Sequence, residues 1–328
     1  MFDETTEAAS RDAQIETLAT KAGEPPLLSR ARAVLLRLVA GGPAFTFYER
    51  VRDRLDVIEE RSRVAEMVAD EVERLASVHA GLVQRAKGRL LGDMVARQDN
   101  LEVVALAALA RLEAAAQTGE PSSEDFPEPS ADWLNAFARE AEIASSDRLR
   151  DRLSQILASE IEQPGRYRRG TVRFVAETEE EVLEAFAAAL QHRLGDAIIR
   201  DPAAWNEGEW FERGRILESE GLIAGHEGFT RRTITLDPKG NGFFLGEEFG
   251  LVAQGTPGSS RSVSIWILTW LGQQVASLLP SADEYVSAVR LAKLMPKEQL
   301  SRIAVGPWFS NEDGRYTVAS PVLLWDRR

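Results

Sequence analysis

The residues best placed to do chemistry in this chain are arginines. Arg166, Arg168, Arg169 and Arg173, with Tyr167 among them, follow Pro164-Gly165 in a chain whose formal net charge is −13. Guanidinium groups gathered around an aromatic ring suit phosphates, a nucleic-acid base or an acidic protein partner, through charge-assisted hydrogen bonds and stacking. The opposing reading is a solvated loop whose arginines pair with the nearby Glu160 and Glu162. A second basic pair, Arg231-Arg232, stands beside a β-like run. These seven residues form the candidate binding set, for nucleic acid or an acidic partner.

No residue pattern points to catalysis. His79, His192 and His226 are far apart and fall in different predicted elements, and a lone histidine is usually exposed or simply hydrogen-bonded. The sequence contains no HExxH helix, no GxSxG elbow and no Walker-type phosphate loop, and Gly240-Asn241-Gly242 followed by Gly246 does not make a dinucleotide fingerprint. The absence of cysteine removes disulfides, thiolate zinc sites and thiol nucleophiles together. Carboxylates are abundant, but no spacing separates a two-metal set from ordinary helix-surface charge. No cofactor and no metal are expected. Trp205, Trp210, Trp266 and Trp270, with Phe211 and Phe244 close in sequence, suit a ligand pocket or the filling of a thin core. The second is the favoured reading.

Composition bounds the rest. A chain of 328 residues, 44% hydrophobic and 28% charged, is globular and long enough for two or three domains. The most apolar runs, AVLLRLVA, VVALAALA and SIWILTWL, fall well short of the ~18–20 residues a spanning helix needs. The opening MFDETTEAASRDAQIE lacks the apolar core of a signal peptide. A cytoplasmic protein with no membrane association is expected.

The elements that must position the arginines follow from periodicity and breakers. Residues 1–26 read as a mobile acidic leader, and 27–118 as a long-helix region. There a short helix, Leu27 to Ala40, stops at Gly41-Gly42-Pro43, and no proline follows between Thr46 and Thr118. Val64, Val68, Val72, Leu75, Val78, Leu82, Ala86, Leu90 and Met94 form one apolar stripe with a mean spacing of about 3.75, nearer a straight helix than a coiled coil. Gly81, Gly88 and Gly92 are the expected places for a bend or break. Residues 119–131 form a Pro/Gly/Ser-rich linker.

Residues 132–201 read as a compact helical domain. Asp132 caps its first helix, Ser145-Ser146-Asp147 restarts a second, and Thr178 caps a third. In 202–328, a helix ending at Gly221 is followed by β-like runs at 233–236, 242–245, 251–253 and 262–268. Helices over 269–279 and 282–294 come next, and then a closing hairpin around Asn311–Gly314. The expected fold is therefore mainly α: a long-helix N-terminal region and a compact helical middle, followed by a small winged-helix-like α/β C-terminal module.

Several of these strings, taken in order, resemble the DUF2806 family of uncharacterised bacterial proteins. They are Arg97-Gln98-Asp99-Asn100-Leu101-Glu102, Asp132-Trp133-Leu134, and Leu149 through Gln155-Ile156-Leu157-Ala158 to Glu160-Ile161 and Pro164-Gly165. Leu217-Glu218-Ser219-Glu220-Gly221-Leu222-Ile223 and Leu268-Thr269-Trp270-Leu271-Gly272 complete them. The resemblance covers roughly residues 60 to 295 and departs at Arg166-Tyr167-Arg168-Arg169, where the family more often has a Ser/Phe-rich string. It implies a helical protein with a small C-terminal module and carries over no catalytic residue.

The functional expectation is a non-enzymatic interaction or sensor protein, a homo-oligomer assembling through its long helices or bound to a protein partner, in bacterial phage defence or stress response. A DNA-binding winged-helix regulator is one alternative. Against it, the helix before Gly221 carries Glu207, Glu209, Glu212, Glu218 and Glu220, which would repel phosphate. A carboxylate-metal hydrolase or nuclease is the other.

Overall fold

The computed structural model describes Ile15, Leu18 and residues 24–39, 55–118, 127–228, 230–280, 283–310 and 316–327, with residues 55–80, 82, 83 and 87 described as backbone alone. Apart from Ile15 and Leu18, the expected leader up to residue 23, with the Gly41-Gly42-Pro43 stop, linker residues 119–126 and the Asn311–Gly314 turn, lies outside the described residues. So do the side chains of the stripe from Val64 to Leu82. The chain divides into two compact units, residues 1–177 and 178–328.

The first unit is helical. Helix α1 (Pro26–Val39) opens on proline, whose missing N–H costs nothing at a helix start. It buries Leu28, Ala31, Val34, Leu35 and Leu38 along one stripe. Helix α2 (Leu55–Thr118) runs unbroken for 64 residues, about 96 Å at 1.5 Å per residue. It passes through Gly81, Gly88 and Gly92 without the expected break, although glycine costs roughly 1 kcal/mol in a helix interior.

Among the described side chains of α2, those from Asn100 onward enter the core of the unit. Leu101, Val104, Ala105, Ala108, Leu109 and Leu112 are buried against α1, α3 (Ala131–Glu142) and α4 (Asp147–Glu162). Trp133, Phe137 and Ala141 of α3 and Leu153, Ile156, Leu157 and Ile161 of α4 supply the facing side chains. The cap of α3 is Ser130, not the expected Asp132: its hydroxyl accepts from the Trp133 N–H at 3.3 Å. Ser146 caps α4 in the same way.

Polar contacts register this bundle. Arg32, buried on α1, pairs with Glu24 at 2.8 Å and with Glu113 of α2. Asn100, where α2 enters the core, donates to the Glu142 carbonyl at 2.8 Å and accepts from Arg150 at 2.7 Å. Helix α5 (Arg169–Glu177) packs on α3 and α4 and closes the unit.

The second unit overturns the expected fold class. Helix takes 53% and strand 21%, and residues 178–328 hold two five-stranded antiparallel sheets, one of them a half-barrel, in place of a small winged-helix module. After α6 (Glu180–Leu190) come β1 (Arg193–Leu194) and β2 (Ala197–Ile199), then α7 (Pro202–Trp205), α8 (Gly208–Ser219) and β3 (Ile223–Ala224). Four strands follow: β4 (Arg231–Thr235), β5 (Asn241–Leu245), β6 (Phe249–Gly255) and β7 (Ser260–Leu268). The chain ends with α9 (Trp270–Ala276), α10 (Glu284–Leu294), β8 (Leu300–Ser310), β9 (Tyr316–Val318) and β10 (Val322–Asp326).

The reason for the correction is long-range pairing. Strand β7, expected as a wing, is the spine of the first sheet. It pairs with β2 through Ile199↔Ile265, with β3 through Ile223↔Leu268 and with β4 through Arg232↔Val263. Strand β8 makes the expected antiparallel pairing with the strand that follows it, β9, and in addition lies between β6 and β10 in the second sheet. Alternate residues of both sheets, among them Leu251, Ala253, Val263, Ile265, Ile303 and Val305, share one core with Ala288, Leu291 and Met295 of and after α10. The cap of α6 is also corrected: Glu179 precedes the helix, and the Thr178 hydroxyl has no hydrogen-bond partner.

One carboxylate ties these elements together. Glu284, in the first turn of α10, accepts from the N–H groups of Gly195 (2.9 Å), Glu247 (2.9 Å), Glu248 (2.7 Å) and Phe249 (3.2 Å). Burial pushes its pKa up, but the four donors outweigh burial and hold it below the ordinary value. Replacing Glu284 by alanine leaves four donors without their acceptor and is expected to cost at least about 2 kcal/mol. Urea unfolding of the full chain measures this.

Candidate functional site

The arginine corner is built from the inside outward by Glu160. Helix α4 ends at Glu162, and Gly165 turns the chain with φ +90°. Glu160, buried on the last turn of α4, accepts from the Gly165 N–H at 2.6 Å and the Tyr167 N–H at 2.9 Å. Burial raises its pKa, and the backbone donors of Tyr167, Gly165 and Arg166 work against that rise. Tyr167 is buried, and its carbonyl accepts from Trp133 Nε1 at 2.8 Å. The Glu160 carboxylate is thus engaged by backbone N–H groups of the loop.

With Glu160 and Tyr167 turned inward, Arg166, Arg168, Arg169 and Arg173 are left exposed on one short stretch. Arg166 lies 5.7 Å from the Tyr167 ring centre. Arg173 pairs with Glu177 at 2.8 Å. The Arg168 carbonyl accepts the first helical bonds of α5, from Thr171 and Val172, so Arg168 and Arg169 stand at the positive end of that helix. Its first turn has no acidic residue. Cations at this end are unfavourable by a few tenths of a kcal/mol each. The corner therefore gathers four exposed arginines at the positive end of α5, an arrangement suited to an anionic group.

The second basic pair falls in the other unit. Arg232 is committed to Asp196 by two bonds of 2.7 and 2.9 Å and lies over the Phe244 ring at 5.2 Å. The Arg232 guanidinium holds the Asp196 carboxyl below its ordinary range. Arg231 is exposed on β4. Helix α8, the expected DNA-facing helix, carries the ion pairs Arg213–Glu209 and Arg215–Glu212 on its surface.

Sequence reasoning did not bring the histidines together, and the fold does so for two of them. The side chain of His79 lies outside the described residues. His192 packs edge-on against Trp205 (4.8 Å) and Trp210 (5.3 Å), which stack on one another at 4.0 Å. Trp266 joins Trp205 at 4.8 Å and His226 at 5.6 Å, and Phe211 contacts His226 at 4.8 Å. Any side chain at Gly214 would collide with the ring of His226, so the glycine lets α8 sit against this cluster. Arg200 is buried beside it and bonds Asn206 at 2.5 Å. The only sequence signal was the density of tryptophan.

His226 is 1% exposed, and neither ring nitrogen has a hydrogen-bond partner; Trp266 Nε1 also lacks one. Glu218 holds the loop by accepting from the N–H groups of Gly225, His226 and Glu227. Among the described residues, no group of three or more His, Asp or Glu side chains is arranged to hold a metal ion. No helix of the described residues is long and apolar enough to cross a membrane.

Two predictions follow from these geometries. Replacing Arg166, Arg168 and Arg169 together by alanine is expected to change stability by less than ~0.5 kcal/mol. Glu160→Ala is expected to cost ~1–3 kcal/mol by stranding the loop donors. Thermal unfolding of both variants separates an exposed binding surface from a structural one. For His226, burial first and the Arg200 charge second push the pKa below 6.5, against weaker opposition from Glu218, Glu227 and Glu212. Stability is therefore intact above pH ~6.5 and is lost as pH falls, because the unfolded chain takes up a proton that the buried ring resists. The unfolding midpoint is expected to drop between pH 7.5 and 5.5, and His226→Asn to flatten that dependence.

No curated protein and no solved structure matches this chain. Residues 84–194, from the exposed turns of α2 through α6 to β1, match the model of DUF2806, a protein family of unknown function.

Proposed function

We propose that this chain is a non-enzymatic interaction protein that assembles through its long helix and presents the arginine corner to an acidic partner. One observation carries the reading. Leu90, Leu91, Met94 and Val95 of α2 are 58–70% exposed, three turns before the same helix becomes fully buried at Val104. At 100° per residue they form a strip roughly 140° wide. An apolar strip on a helix with no cover is the usual mark of a protein contact. Full burial of each such side chain is worth about 1.5–3 kcal/mol.

The corner contributes specificity under this reading. Its arginines stand on a loop held by Glu160 and Tyr167, so they meet a partner's carboxylates or phosphates already ordered.

Light scattering coupled to size exclusion tests the proposal. The full chain is expected to run as an oligomer, and the double variant Leu90→Glu/Met94→Glu as a monomer with an unchanged unfolding midpoint. A wild-type monomer at tens of micromolar would sink the reading.

A further inference from the structure

Helix α2 has an uneven charge along its length. In residues 55–80 the sequence carries seven acidic and three basic residues, whereas residues 81–98 carry Arg85, Lys87, Arg89 and Arg97 against Asp93 alone. Both stretches belong to one unbroken helix, and Gln98 is the last exposed residue before the core begins. A parallel pair of such helices would set like charge beside like charge over its whole length. An antiparallel pair sets the acidic half of each copy beside the basic half of the other.

The apolar stripe has a matching symmetry. A two-fold axis at the level of residue 79 brings position 64 to the level of 94, 68 to that of 90, and 72 to that of 86. All six positions are apolar: Val64, Val68, Val72, Ala86, Leu90 and Met94. In the described part of this stretch, Leu90 and Met94 are exposed, and nothing lies within 4 Å of a side chain placed at Gly88 or Gly92. A second helix can therefore approach closely at these turns.

We infer that the occupant of this face is a second copy of the same chain, running antiparallel, with residue 68 of one copy level with residue 90 of the other. The inference rests on assembly through α2 and adds its partner, direction and register. A two-fold pair of this kind is closed, so it stops at two copies.

Engineered disulfides test the register cleanly because the chain has no cysteine. Single variants Val68→Cys and Leu90→Cys are purified, mixed under mild oxidation and separated without reductant. The expected result is a V68C–L90C mixed disulfide at least fivefold above the self-linked product of L90C alone. Self-linked L90C as the main product would overturn the antiparallel register while leaving assembly through α2 standing. A monomer by light scattering would overturn both. Should the V68C chain fail to fold, Val72→Cys with Ala86→Cys probes the same register.

Discussion

A carboxylate surrounded by backbone N–H groups is the interaction on which this structure depends most. Three glutamates of the described residues close loops in this way. Glu160 fixes the turn that presents the arginines, Glu218 fixes the loop that delivers His226, and Glu284 joins α10 to the turns of both sheets. Each satisfies donors that the loop would otherwise have to leave to water. In a chain with 52 acidic residues and no cysteine, carboxylates take over the stapling that disulfides provide elsewhere.

These clamps explain why the candidate site has its shape. Glu160 holds the turn so that Tyr167 is drawn inward onto Trp133 and the arginines stand on the outer surface. Arg232 shows the contrast. It has the same charge and also starts beside an aromatic ring, yet the bidentate bond to Asp196 makes it part of the sheet's own framework.

Helical elements were the legible part of the sequence. The stripes Trp133–Phe137–Ala141 and Leu153–Ile156–Leu157–Ile161 lie one turn apart and are buried as spaced, and Gly221 ends its helix with φ +71°. The strands near 233, 242, 251 and 262 were also visible, each from a short β-branched or aromatic run between turn residues. Their partners were not. The pairing of β2 with β7 spans more than 60 residues, and nothing in either strand names the other. The same limit hid the histidine cluster: His192 and His226 meet only through tryptophans brought together by that sheet. Caps misled for a local reason. Asp132 and Thr178 are good capping residue types, but Ser130 and Glu179 occupy the positions where the helical dihedrals begin.

Asn100 sits at the step between the exposed and the buried turns of α2, bonded to the Glu142 carbonyl and to Arg150. Together with the buried face of Leu101, Val104, Leu109 and Leu112, it fixes the azimuth of the helix about its own axis. Everything that precedes it inherits that phase, since each residue advances the helix by about 100°. One residue inserted between Val95 and Arg97 would keep the anchored turns in place yet swing Leu90, Leu91, Met94 and Val95 by more than a quarter of a revolution. In such an arrangement the face offered to the outside can be re-aimed by small changes in length, independently of the bundle that anchors it.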